Sequence, residues 1–229
     1  MQNIFTNFLF GSFLTWSPLV VGTILLFIGA YRYVLEREER SIGGFFARCS
    51  YRLLAWISIG FHLVYAVVST VGQYVIWKAS VFTSSFLESP VGDLVASPIA
   101  KWFPSLFKGS LGYFFFYSWG HFWVIALLSV LSAILFRLYL RMLEKRNGRF
   151  FHSGEVALGF LCVLVLGWPR VILFIPVFFL CVLLFSLFRT LVVKTPYTTF
   201  GYPFLIGTVL TIPLWKWLHD FLKLYNLAP

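Results

Sequence analysis

Between Arg170 and Arg189 stands VILFIPVFFLCVLLFSLF, a run from Val171 to Phe188 with no charged or amide side chain. A helix of about 20 apolar residues reaches across the hydrocarbon of a bilayer, roughly 30 Å. A water-soluble domain has little use for such a run. The rest of the chain agrees: 60% of the 229 residues are hydrophobic, 21% aromatic and only 11% charged. These proportions exclude an ordinary soluble domain and predict an all-α, polytopic integral membrane protein.

Six stretches read as spans: 16–35, 51–77, 109–136, 154–168, 171–188 and 200–218. They form a six-transmembrane-helix bundle in a single membrane domain, 16–229. The fourth is short for a full crossing. Residues 1–15 are aromatic but dotted with Asn, Thr and Ser, which predicts an interfacial N-terminal segment. They carry no basic n-region and no small-residue cleavage site, so no removable signal peptide is expected.

The basic residues orient the bundle. Twelve of the 18 flank the first, third and fifth connections: Arg32, Arg37, Arg40, Arg48, Arg52, Arg137, Arg141, Lys145, Arg146, Arg149, Arg189 and Lys194. The positive-inside rule puts that side in the cytoplasm and both termini outside. The net charge of +10 is thereby explained by the membrane, and nucleic acid is not expected as a partner. The connection 78–108 is then extracytoplasmic. Its stretch Gly92–Phe107, with Trp102, Phe103 and Phe107, reads as an amphipathic piece on the membrane surface. Cys49, Cys162 and Cys181 have no CxxC spacing, and no HxxxH or HExxH occurs, so neither metal nor cofactor is expected.

Only eight acids exist, and two stand at the cytoplasmic boundary of a span: Glu36 in VLEREER and Glu155 in HSGEVALG. If the first and fourth spans touch, the two carboxyl groups share one pocket. Two acids a few ångströms apart cannot both ionise, and such a pair can split the roles of general base and proton donor. The alternatives are plain. Glu155 as a first-turn acid is ordinary at a helix N-terminus. Glu36 and its neighbours interleave with Arg37 and Arg40 as surface ion pairs would. No charged or helix-broken pair lies mid-span, which argues against a transporter or channel.

From Leu131 onward the chain resembles the prepilin peptidases, membrane aspartyl proteases of the GxGD type. That family reads Gly-x-Gly-Asp-Val-Lys-Leu, an apolar run, Leu-Gly-Trp-Pro, and later Phe-Gly-Pro-Phe-Leu. Here stand HSGEVALGFLCVLVLGWP and TTFGYPFLIGTVL, with Gly154, Val156, Leu158, Gly167, Trp168, Pro169, Phe200, Gly201, Pro203, Phe204, Leu205 and Gly207 in step. Tyr202 is one inserted residue. The early FLFGSFL resembles the family's N-terminal Gly-Ser-Phe-Leu. The resemblance implies a bacterial inner-membrane location and makes Glu36 and Glu155 the counterparts of the catalytic acids. His152, Ser153, Gly154, Gly201 and Pro203 support the motif.

The departures are equally specific. Both aspartates are glutamates, the first glycine of the motif is His152, and the lysine after the acid is Ala157. A carboxyl group displaced by about 1 Å can cost about a hundredfold in rate. The combination implies a degenerate relative, a structural or assembly subunit docking partner membrane proteins among lipid. The alternative is an active endopeptidase that cuts pilin-like leader peptides at the cytoplasmic face.

Overall fold

The computed structural model describes residues 14–38, 49–91, 104–148, 151–194 and 199–222. The interfacial segment expected at 1–15 lies outside these residues except for its last two, and so does most of the stretch 92–107.

The described chain is helical. In order it forms α1 (Leu14–Arg37), α2 (Tyr51–Ala79), α3 (Val81–Leu87), α4 (Pro104–Phe107), α5 (Gly112–Ser118), α6 (Val124–Arg146), α7 (Glu155–Leu166), α8 (Val171–Phe188) and α9 (Gly201–Leu222). Trp119–Trp123 is a π-helical turn that joins α5 to α6 without a break, and Arg189–Val193 extends α8 in the same way.

Four segments are long and apolar enough to cross a membrane: Trp16–Arg37, Tyr51–Ala79, Gly112–Arg146 and Val171–Val192. The last has a mean hydropathy of 3.0, yet only 22% of its most apolar window is buried within the protein. Apolar surface on this scale is not left to water, so the chain is a multi-pass membrane protein. The fourth expected span, α7, is only 12 residues long. It rises about 18 Å, short of the hydrocarbon thickness. Helix α9 has the length, but Pro203, Pro213, Lys216 and its polar residues dilute its apolar character.

The third connection differs from expectation. Arg137, Arg141, Lys145 and Arg146 do not fill a loop; they continue α6. The physical reason is local. Leu, Met, Arg, Lys and Glu are all good helix formers, and no glycine interrupts them before Gly148. The cations also suit the negative end of the helix dipole. The connection 78–108 is likewise not all loop, because α3 and α4 lie within it.

Residues fall into two compact units, one holding 62–126 and the other 16–61 with 127–228. The first packs around Trp77. Its ring stands 5.0 Å from Tyr117 and 5.5 Å from Phe114, and it stacks on Tyr113 at 6.1 Å. In the same unit the Trp123 indole donates to the Thr70 hydroxyl at 3.2 Å.

The second unit is built around α7. This helix is apolar on every side, and all its residues but Val156, Ala157 and Val165 are buried. A helix enclosed by protein in this way need not match the bilayer in length. Phe178 of α8 stacks on Phe204 of α9 at 4.5 Å, and Phe136 of α6 meets Phe174, Phe178 and Phe204 edge-on. Helix α9 buries Phe204, Thr208 and Thr211 at helical spacing. Both threonines satisfy their hydroxyls on carbonyls one turn back, at 2.7 Å.

Small residues let α1 approach α7. A Cβ on Gly22 would stand 3.1 Å from Val165, and one on Gly29 would stand 2.8 Å from Leu161. At the far end, a Cβ on Gly154 would stand 3.0 Å from the Glu36 carboxylate. Rising positions on α1 meet falling positions on α7, so the two helices run antiparallel. Close small-residue seams of this kind are a common way for helices to associate in lipid.

Candidate functional site

The antiparallel pairing of α1 and α7 brings the two acids to the same end of the unit, one of them sealed inside it. Glu155 is 0% exposed. Its Oε1 accepts from the Tyr33 hydroxyl at 2.7 Å and from the Gly201 N–H at 3.0 Å. Its Oε2 accepts from the Phe200 N–H at 3.1 Å and the His152 N–H at 3.1 Å. Every partner is a donor, which is the shell that a carboxylate anion requires in a place water does not reach.

The backbone donors come from two helix ends. Glu155 opens α7, and Phe200 and Gly201 open α9. A helix start leaves N–H groups without intrahelical partners and concentrates partial positive charge. The one carboxylate therefore sits between two positive ends and satisfies donors of both. Pro203, buried in the first turn of α9, has no N–H to add to the unsatisfied set.

Close approach makes this geometry possible. Gly201 lies against Tyr33, whose ring would clash with any added Cβ. Gly154 adopts φ +86°, a left-handed conformation, as it turns the chain into α7. Only glycine enters that region without strain. These two glycines of the motif thus have structural reasons of their own.

Positive charge stands one step behind. Arg37 Nη1 donates to the Tyr33 oxygen at 3.3 Å and to Thr199 Oγ1 at 3.2 Å. Its guanidinium lies 4.7 Å from the Tyr202 ring centre, and Tyr202 meets Tyr33 edge-on at 5.6 Å. An Arg37–Tyr33–Glu155 chain of hydrogen bonds results, with the cation at the outer end.

Glu36 belongs to a separate group. Its Oε1 accepts from Arg32 Nε at 2.7 Å, and Arg32 Nη1 donates to the Cys49 carbonyl at 2.8 Å. The same guanidinium lies 5.1 Å from the Tyr51 ring centre. Glu36 also acts on the Tyr51 phenol, whose hydroxyl is buried. The ion pair expected with Arg37 or Arg40 is instead with Arg32, one turn back on the same face. Arg40 lies outside the described residues.

Among the described residues, then, Glu36 and Glu155 flank Gly154, but each is engaged by its own donors. Glu155 is a helix-end acid, as one alternative held, yet it is enclosed and not at a water interface. His152 contributes its backbone N–H; its side chain and that of Ser153 are exposed. No group of His, Cys, Asp and Glu among the described residues is arranged to hold a metal. Sequence reasoning missed Tyr33, Arg32 and Thr199. Tyr33 stands one turn before Arg37 and Arg32 one turn before Glu36, so the i,i+4 spacing on α1 was the available signal.

Compared with known proteins, the chain matches no family model, no curated protein and no solved structure.

Proposed function

We propose that this chain is a prepilin-peptidase-like membrane protein whose acid pair has become structural, serving as an assembly subunit of a bacterial inner-membrane complex. In this reading α7 and α9 complete a six-pass bundle with both termini extracytoplasmic.

The observation that carries the proposal is Glu155, buried and saturated by its hydrogen-bond donors. A general base must come within hydrogen-bond reach of the proton it takes, directly or through one water. An enclosed carboxylate with all its acceptor sites in use offers no such reach. Its effect is to fasten the starts of α7 and α9 to α1. A retained framework without proteolysis is what a scaffold for other membrane chains requires.

The test is cleavage of a pilin-like leader substrate in membranes carrying the wild-type chain, Glu36→Gln or Glu155→Gln. The expected result is no cleavage by any of the three. Cleavage by the wild type that both variants abolish overturns the proposal. Gentle solubilisation should also bring down stoichiometric partner chains; a monodisperse single chain counts against the assembly role.

One observation favours the second reading, an active endopeptidase. The Glu36 carboxylate lies so close to Gly154 that the two acids share one end of the α1–α7 contact. Activity from that arrangement requires Glu155 to shed donors on substrate binding, and the same variants decide it.

A further inference from the structure

Helix α2 carries polar side chains at a depth where hydrocarbon surrounds it. No Asp, Glu, Lys or Arg stands between Arg52 and Lys78, and that run is centred on Tyr65. At 1.5 Å per residue, Ser69 stands about 6 Å and Gln73 about 12 Å from the centre. Both fall inside a hydrocarbon half-thickness of about 15 Å.

Tyr65, Ser69, Gly72, Gln73 and Ile76 recur at spacings of three and four, so they share one face of α2. That face lines an open groove of about 210 Å³, bounded also by Leu14 and Phe122. All of these residues belong to the first compact unit. Phe122 is held in place by its surroundings. It lies in the π-helical turn Trp119–Trp123, and the neighbouring Trp123 indole is tied to Thr70 of α2 at 3.2 Å. Turns of this kind are frequent where a helix serves a site.

Two polar groups of the groove have nothing to bond. Other hydroxyls on the long helices turn back to a carbonyl one turn earlier: Thr23, Thr70 and Thr190 do so at 2.7, 2.8 and 2.9 Å. The Ser69 hydroxyl does not, although the residue is only 6% exposed, and the Gln73 amide also lacks a partner among the described residues. Lipid tails offer neither group a hydrogen bond, and leaving one unmade is costly.

The lining selects the occupant. No charged side chain faces the groove, so a neutral molecule suits it. Its volume exceeds the ~150 Å³ that holds one benzene ring and falls short of the ~300 Å³ at which sites for larger ligands begin. A single substituted ring fits, between the aromatic side chains of Tyr65 and Phe122. A hydroxyl and an amide donate to carbonyl oxygens. The ester carbonyls of phospholipids stay at the edge of the hydrocarbon, whereas a carbonyl-bearing ring on an apolar tail enters to the depth of Ser69.

We propose that this groove binds the head of a membrane-soluble quinone, with the Ser69 hydroxyl and the Gln73 amide donating to its carbonyl oxygens and its tail in the surrounding lipid. The site depends on α2 spanning the membrane and not on the assembly role proposed above.

The test is native mass spectrometry of the full chain in mild detergent, with decylubiquinone as the probe. Decylbenzene, a ring and tail without carbonyls, and didecanoylglycerol, ester carbonyls without a ring, are the comparisons. The quinone should be retained and the other two should not. Ser69→Ala and Gln73→Leu should each weaken quinone retention about fivefold, the scale of one hydrogen bond. Should Gln73→Leu not fold, Ser69→Ala decides alone. Equal retention of decylbenzene makes this an unselective apolar groove, and equal retention of didecanoylglycerol makes it a lipid-ester site; either result overturns the proposal. Quinone binding unchanged in either variant overturns it too, as does no retention of quinone by the wild type, which leaves Ser69 and Gln73 to water.

Discussion

Replacing Glu155 with Gln changes one atom type and leaves the shape alone, which makes it the sharpest probe of this architecture. Each carboxylate oxygen now accepts two donors, at 2.7 and 3.0 Å on Oε1 and at 3.1 and 3.1 Å on Oε2. An amide nitrogen at either position turns two of those contacts into donor facing donor. Rotation of the Tyr33 hydroxyl relieves one of them, but a backbone N–H cannot rotate. Hydrogen bonds to a charged group are worth about 1.5–3 kcal/mol each, so the loss is ~3 kcal/mol or more. On the scale of 2–4 °C per kcal/mol for chains of this size, melting falls by roughly 6–12 °C. Cys162 and Cys181 are buried free thiols, so a thiol-reactive dye reports the unfolding. Glu155→Asp should not be a rescue, although aspartate is the residue of the resembled family. Its carboxyl group withdraws by about 1.5 Å and leaves the start of α9 without its acceptor. A melting temperature within about 2 °C of wild type for both variants refutes the view that Glu155 fastens α7 and α9 to α1.

Two glycines should behave oppositely on replacement by alanine. Gly154→Ala should destabilise by about 1–2 kcal/mol, because its φ of +86° is left-handed and its Cβ would press on Glu36 and Tyr51. Gly60→Ala should be neutral or stabilise by up to about 1 kcal/mol, because it lies within α2 with nothing within 4 Å. Both are read by the same melt. Gly201→Ala drives a Cβ into the Tyr33 ring and should lower folded yield on size exclusion; Tyr33→Ala in the same chain should restore part of it. Arg32→Gln removes the 2.7 Å pair with Glu36 and the bond to Cys49, and should cost about 1–3 kcal/mol, with faster labelling of Cys49 as the local readout.

The sequence resolved some of this site and not the rest, and the division follows interaction range. The acids Glu36 and Glu155 stand out because carboxylates are scarce beside apolar runs, a property of composition and local order. Gly154 and Gly201 were singled out with them, and each proves to be where a side chain has no room. Tyr33 was not, since its one signal, the i,i+4 spacing to Arg37, does not point to Glu155. The basic end of α6 was read as a loop because its charges outweighed its helix-forming residues in a hydropathy reading.

Membrane class, helical content and the main apolar segments follow from the chain alone. Hydrophobicity and helix propensity act over a turn or a span, and the bilayer admits few other backbones. What only the tertiary structure decided is the use of the buried acid. The contact from Tyr33 to Glu155 spans 122 positions, and those from Phe200 and Gly201 span 45 and 46. A carboxylate at a helix start is written identically in sequence whether it faces water, a second acid or a ring of donors. Packing selects among these, because burial sets the cost of the charge and only neighbouring elements supply what offsets it.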